Sequence, residues 1–293
     1  MTGSSKIHAE EETMNKPVEA VHITNAGDPR IAEYVALRDR GLRTRRDRDG
    51  VFIGEAVLVV DIMLESKGLT RSVLASRRQA ERMARMIADS NSPETPLFVA
   101  DESIIESITG FNMHRGILAS GNRGPVEDRP LEDILPGPEK DATLLLCDGI
   151  SNIDNIGMMF RNAAAFGVDA VILSPECHDP LYRKSLRVSI GHALRVPWHR
   201  SEDWSSTLNR LTEEHGITLI GTSIDTGSIP LDDIESPARV GVVMGGEFKG
   251  MGQIATGHCS ILTRIPMMEG TDSLNVGVAA AVCLHKFSRS NRI

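Results

Sequence analysis

The chain has 293 residues, of which 41% are hydrophobic and 25% charged, and its formal net charge is −8. That length favours about two domains with substantial cores, while the acidic balance excludes a protein that holds nucleic acid by bulk attraction, so any phosphate contact has to be local. Cys147, Cys177, Cys259 and Cys283 are too widely separated to form a C-x-x-C pair, which argues against a zinc site or a disulfide framework and for a reducing, cytoplasmic setting.

Residues 1–20 are polar and acidic, with neither an apolar period nor the apolar stretch of a secretory signal, and predict a disordered tail. Residues 21–120 predict a small α/β domain. In it Gly54-Glu55-Ala56-Val57-Leu58 leads into a helix through Leu64, and Arg71–Ala75, Leu97–Ala100 and Gly116–Ala119 read as strands. Arg38, Arg40, Arg43, Arg45, Arg46 and Arg48 fall within eleven residues, diluted by Asp39, Asp47 and Asp49. Taken alone, that run is as well explained by a solvated charged turn as by a phosphate contact.

Residues 121–141 are rich in Gly, Pro and charge, with Pro125, Pro130, Pro136 and Pro138, and predict a linker. From 142 to 293 short apolar runs return, at Ala142–Cys147, Ala170–Leu173, Ile217–Ile220, Val240–Met244 and Ile261–Leu262. Runs of this kind, separated by helical stretches, predict a mostly parallel sheet buried between helices. There is no internal repeat, and no apolar run reaches membrane-spanning length.

Three clusters sit where strands of this second half run out, the edge at which open α/β sheets collect ligands. In Asn155–Gly167 the spacing predicts a short helix with Asn155 as N-cap and Gly167 just past its end, and Gly157 and Arg161 share a face. Small Gly157 leaves room for a backbone or a phosphate, and the Arg161 guanidinium can grip a phosphate bidentately; an ordinary surface ion pair fits the spacing equally. Gly245-Gly246-Glu247-Phe248-Lys249-Gly250-Met251 predicts a tight turn that presents backbone groups and Glu247, although it is neither a dinucleotide fingerprint nor a P-loop. In Ile265–Ala281 a polar loop ends at Ser273, read as the N-cap of a helix with Asn275 in its first turn, where Asn suits contact better than helix stability.

In this order and separation the three clusters, with Asp179-Pro180 and the stretch Arg187–Pro197 between them, resemble the SpoU-type (TrmH) branch of the SPOUT RNA methyltransferases over about 150 residues, Leu144 to His285. The resemblance implies a trefoil knot in the catalytic domain, an exception to the rule that chains do not thread their own loops. It also implies S-adenosylmethionine bound in a bent form around Gly245, Ile265 and Leu274, a homodimer whose partner completes the pocket, and an L30e-like N-terminal domain that binds substrate RNA. In that setting Arg43, Arg45 and Arg46 become RNA contacts. Phe248 stands where the family commonly has Gly, and Gly277 where it commonly has Ser.

The implied reaction is methyl transfer to a ribose 2′-hydroxyl of rRNA or tRNA, with Arg161 central and Asn155, Glu247, Ser273 and Asn275 completing the polar site. The displacement requires alignment in a dry pocket and no metal. Arginine stays protonated, so Arg161 is expected to hold phosphate and polarise the hydroxyl while the proton leaves to a phosphate oxygen, a carboxylate or water. Two alternatives stand beside this reading: a catalytically silent RNA-binding protein with the same fold, and a nucleotide-dependent α/β enzyme, against which the missing phosphate loop argues.

Overall fold

The structure is a computed structural model that describes residues 18–37, 47–110, 116–127, 129–247, 249–271 and 273–288. The expected tail up to residue 17, the arginines Arg38, Arg40, Arg43, Arg45 and Arg46, and Phe248 lie outside the described residues.

The N-terminal sheet holds β1 (Ala20–Ile23), β2 (Val51–Glu55), β3 (Thr70–Ser76), β4 (Leu97–Ala100) and β5 (Ile117–Asn122) in the order β1-β4-β3-β5-β2. β1, β4 and β3 run parallel, and β5 pairs antiparallel with both β3 and β2. Helices α1 (Val57–Glu65), α2 (Ala80–Ala88) and α3 (Glu102–Thr109) pack on it. The sequence reading gives β3, β4, β5 and α1, leaves β2 as the approach to that helix, and misses β1, which falls where the tail was expected to end. Four residues with a charged neighbour on one side carry too little alternation to reveal a strand that is fixed by pairing with β4.

The segment 121–141, expected as a linker, is folded. It completes β5, forms short helices at Gly124–Glu127 and Leu131–Ile134, and buries Leu131 and Ile134 against the second sheet. Gly124 and Pro125 open the first of these helices, Pro130 precedes the second, and Gly137 and Pro138 lie in the turn that follows it.

The C-terminal sheet has seven parallel strands in the order β10-β12-β9-β11-β6-β7-β8: β6 (Ala142–Asp148), β7 (Ala170–Leu173), β8 (Trp198–Arg200), β9 (Thr218–Thr222), β10 (Ile229–Pro230), β11 (Arg239–Gly245) and β12 (Ile261–Arg264). Alternate residues of β6 face opposite helix layers. Leu145 and Cys147 pack with α4 (Ile153–Ala165) and α8 (Val276–Phe287), whereas Leu144 and Leu146 pack with Trp204, Leu208 and Ala255 of α6 (Trp204–Asn209) and α7 (Gln253–His258). Both faces are therefore covered, which is why β6 and β11 read as unbroken apolar runs. A further short helix, α5 (Arg183–Val188), lies between α4 and the N-terminal domain.

Candidate active site

Strands β6, β9, β11 and β12 end together, and at their carboxyl ends lies a cavity of about 500 Å³. Its floor is the turn after β11. Gly245 has no room for a side chain: a Cβ there would sit 2.1 Å from the Met251 nitrogen and 2.2 Å from the Gly250 carbonyl carbon. The turn closes on itself through the Gly250 N–H, which donates to the Gly246 carbonyl at 2.9 Å, with Gly250 at φ +63°. Asp148, at the end of β6 and paired in register with Gly245, braces the far end by accepting the Gly252 N–H at 2.6 Å. Burial pushes the Asp148 carboxyl above its usual pKa; the Gly252 N–H opposes that shift, and Glu176 adds to it.

The cavity is lined by Gly245, Glu247, Ile265, Ser273, Leu274 and Asn275, all expected from the sequence, by Lys249 and Met267 from the same clusters, and by Thr222, Ser223 and Met244, which no motif had marked. These last residues come from the ends of β9 and β11 and from nearby loops, and only the convergence of strand ends brings them in.

At the rim, three polar side chains form one string. Asn275 Nδ2 donates to Asn155 Oδ1 at 3.0 Å, and Asn155 Nδ2 in turn donates to Glu247 Oε1. Asn155 is buried in this arrangement. Two of the expected caps shift. The N-cap of α4 is Asn152, whose Oδ1 accepts the N–H groups of Asp154 and Asn155. Asn155 thus sits one turn in, with its side chain free for Glu247 and Asn275. The N-cap of α8 is Asn275, not Ser273: its Oδ1 accepts the Gly277 N–H at 2.9 Å, while Ser273 is exposed in the loop before it. Asn serves as well as Ser at an N-cap, and its amide leaves a donor over for Asn155.

Arg161 is not brought into the cavity. It is exposed on α4, outside the lining residues, and makes no hydrogen bond or ion pair with the described residues. Its charge is felt at His192, whose pKa is lowered first by burial, then by Arg195 and by Arg161. The face it shares with Gly157 serves helix packing: a Cβ on Gly157 would lie 2.6 Å from the Val188 Cβ and 2.9 Å from the Ser185 carbonyl oxygen of α5. Gly277 is likewise a packing residue, set against Met158 of α4, and Asn162 Nδ2 donates to its carbonyl at 2.7 Å.

Among the described residues no group of three or more His, Cys, Asp or Glu side chains is arranged to hold a metal ion. No described helix is long and apolar enough to cross a membrane.

Residues 142–285 match the model of the SpoU rRNA Methylase family. An uncharacterized tRNA/rRNA methyltransferase of Mycobacterium bovis is 33% identical over 275 residues, covering 92% of this chain and 91% of that protein. The 23S rRNA (guanosine-2′-O-)-methyltransferase RlmB of Nitrosomonas europaea is 29% identical over 218 residues, 74% of this chain and 83% of its own length. Among solved structures, an AdoMet-bound rRNA methyltransferase from Sinorhizobium meliloti superposes with a TM-score of 0.77 at 22% identity, over 94% of this chain and 99% of that one. The SpoU methyltransferase AviRb from Streptomyces viridochromogenes, in complex with AdoMet, gives 0.75 at 23% identity over 90% and 99%. At such identities these two likenesses speak to the fold, and they extend through both domains.

Proposed function

The chain belongs to the SpoU rRNA methylase family, and from that membership we propose that it transfers a methyl group from S-adenosylmethionine to a ribose 2′-hydroxyl of a structured RNA. The observation that carries the reading is the string Asn275, Asn155, Glu247 at the rim of a cavity floored by the Gly245 turn. It joins residues more than a hundred positions apart around a pocket of ligand size.

The cavity suits the cofactor in its chemistry. Gly245 and Ile265 offer close backbone, Leu274 and Val276 offer apolar walls, and Glu247 gives the rim a negative charge that favours a cation. Gly245, Ile265 and Leu274 would hold S-adenosylmethionine, which supplies an electrophilic methyl on its sulfonium when bound. The remaining work falls to this chain's own side chains. Asn155 and Asn275 fix Glu247, and Glu247 keeps Oε2 for a further donor. Ser273 adds a hydroxyl at the same rim.

Arg161 reaches such a site through a second subunit. On α8, which packs on α4, Val278 and Val282 are 43% and 39% exposed, and Leu274, 38% exposed, lies at the cavity mouth. Exposed apolar residues on α8, together with an exposed Arg161 on α4 that makes no ion pair among the described residues, favour a homodimer in which each Arg161 serves the partner's cavity. There the guanidinium grips a substrate phosphate and polarises the 2′-hydroxyl, whose proton passes to a carboxylate, a phosphate oxygen or water. We read the last part of the catalytic domain as the knotted segment, the N-terminal domain as the L30e-like RNA holder with Arg43, Arg45 and Arg46 as contacts, and the setting as cytoplasmic, in keeping with cysteines that are all free thiols.

Ribose-methylation mapping of total RNA from a deletion strain and its parent tests the function and assigns rRNA or tRNA. One 2′-O-methyl mark is expected to disappear; an unchanged map refutes the reading. A silent RNA-binding protein would instead leave the map intact and fail to bind S-adenosylmethionine in calorimetry, with and without RNA.

A further inference from the structure

The seam between the domains contains a charged centre that the methyl-transfer reading leaves unused. Glu55 ends β2 and is only 8% exposed, yet two guanidinium groups of the catalytic domain converge on it, both from α5. Arg183 Nη1 bonds to Oε2, and Arg187 Nη1 lies 3.2 Å from each carboxylate oxygen. A carboxylate so short of water is tolerated where it is paired and hydrogen-bonded.

The chain on both sides of this contact adopts backbone conformations that side-chain-bearing residues avoid. Ala56, next to Glu55, has φ +86° and ψ 151°, and Ile190, just after α5, has φ +54°. Such conformations persist where the surroundings over-determine them. Beside Ile190, Gly191 admits α1 into backbone contact: a Cβ there would lie 2.9 Å from Ile62 Cδ1 and 3.4 Å from Val59 Cα. Two further ion pairs close the seam. Arg195 Nε is 3.0 Å from Glu65 Oε2, and the buried Arg123 joins Glu127 to Asp179, with Nη2 3.0 Å from Asp179 Oδ1. Burial works against the charge of Arg123, but Glu127 and Asp179 outweigh it and hold its pKa above the usual guanidinium value.

The other side of α5 grips the start of α4. Lys184 Nζ is 2.7 Å from Asp154 Oδ2, Ser185 Oγ donates to the Ile153 carbonyl at 3.3 Å, and Val188 fills the space left by Gly157. Residues 153–157 are the first turn of α4, and among them Asn155 meets Glu247 and Asn275 at the cavity rim.

We propose that Glu55 is a positioning residue for methyl transfer: by docking on Arg183 and Arg187 it fixes α5, α5 fixes the first turn of α4, and that turn sets Asn155 against Glu247 and Asn275. The N-terminal domain is then part of the catalytic scaffold, not a tethered RNA holder. An RNA held on it meets an active-site helix whose position the same domain controls. The proposal rests on the RNA methyltransferase reading for its catalytic half; the docking half stands on the seam alone.

The test uses the full chain and four variants: Glu55→Gln, Glu55→Asp, Arg187→Met and the double variant Glu55→Gln/Arg187→Met. For each, kcat and KM with RNA, calorimetric S-adenosylmethionine affinity and spin-label distances between the two domains are measured well below the melting temperature. Glu55→Gln is expected to lower kcat about tenfold and broaden the interdomain distances, while cofactor affinity stays within about twofold. Glu55→Asp is expected to recover most of kcat, and the double variant to fall no lower than Glu55→Gln alone, because both changes break one contact. If Glu55→Gln fails to fold, Arg187→Met, which leaves Arg183 on Glu55, carries the same comparison. Broadened distances with unchanged kcat overturn the positioning role, and unchanged distances overturn the docking role. A wild-type chain that methylates no RNA overturns the function reading and the catalytic half with it, while the distances still decide the docking.

Discussion

Gly277 stands where the resembling family commonly has Ser, and the structure supplies a reason that a double substitution can test. A Cβ on Gly277 would lie 2.6 Å from Met158 Cε, 3.1 Å from its Sδ and 2.9 Å from its Cβ. The thioether end can swing aside, but the Met158 Cβ moves only with α4 itself. Gly277→Ser therefore overpacks the α4–α8 contact, at a typical cost of about 1–3 kcal/mol. The better helix propensity of Ser returns about 0.5 kcal/mol, which leaves a net loss of about 1–2 kcal/mol. Met158→Gly removes the obstacle, Cβ included, and should cost about 2 kcal/mol alone, about half of it from the half-buried side chain and half from glycine inside a helix. In Met158→Gly/Gly277→Ser the two losses should not add: an interaction energy of about 1–2 kcal/mol is expected in favour of the pair. Urea denaturation followed by tryptophan fluorescence reads this out, because both tryptophans, Trp198 and Trp204, are buried in the catalytic domain. Losses that add within about 0.5 kcal/mol would refute the idea that Met158 and Gly277 are a coupled pair.

Arg161→Ala and Arg161→Lys should each lower kcat/KM by about 100-fold, with cofactor affinity little changed because Arg161 does not line the cavity; near-normal turnover in both would remove it from the site. Gly245→Ala should weaken S-adenosylmethionine binding by at least about tenfold in calorimetry, since its methyl would displace backbone at Gly250 and Met251 rather than a side chain; an unchanged Kd would refute that. Ala56→Gly should leave stability within about 1 kcal/mol, whereas Ala56→Val should cost more than about 2 kcal/mol, because a β-branched residue at φ +86° is worse than Ala; equal denaturation midpoints would contradict it. Asp148 binds its proton more readily in the folded chain than in the unfolded one, so it contributes stability in acid that is lost as pH rises through its raised pKa. Asp148→Asn, which keeps an acceptor for the Gly252 N–H, should therefore gain on the wild type at about pH 7 and show no gain at about pH 3 in thermal denaturation.

Much of the catalytic domain is legible in the chain because each of its signals is local. Ala142–Cys147 and Val240–Met244 are apolar on both faces, and that pattern alone states a strand between two helix layers. The Gly245–Gly252 turn announces itself by its glycines, and clashing backbone at Gly245 and a positive φ at Gly250 account for two of them. Caps are less secure. Asn152 and Asn155, or Ser273 and Asn275, are chemically interchangeable as N-caps, and only the point at which the chain must leave the pocket loop decides between them.

The sequence by itself determined two α/β halves, the strand runs of a parallel sheet and, through the order of its three clusters, the family and the set of polar residues to watch. Tertiary structure decided which of them meet. Asn155, Glu247 and Asn275 come together because β6 and β11 are neighbours in register and α4 packs on α8, while Arg161 turns outward on the same helix. It also decided that the segment 121–141 folds and that Glu55 faces Arg183 and Arg187. Local patterns record which face of an element is buried; they carry nothing about which distant element buries it, and a seam between domains is made wholly of such partners.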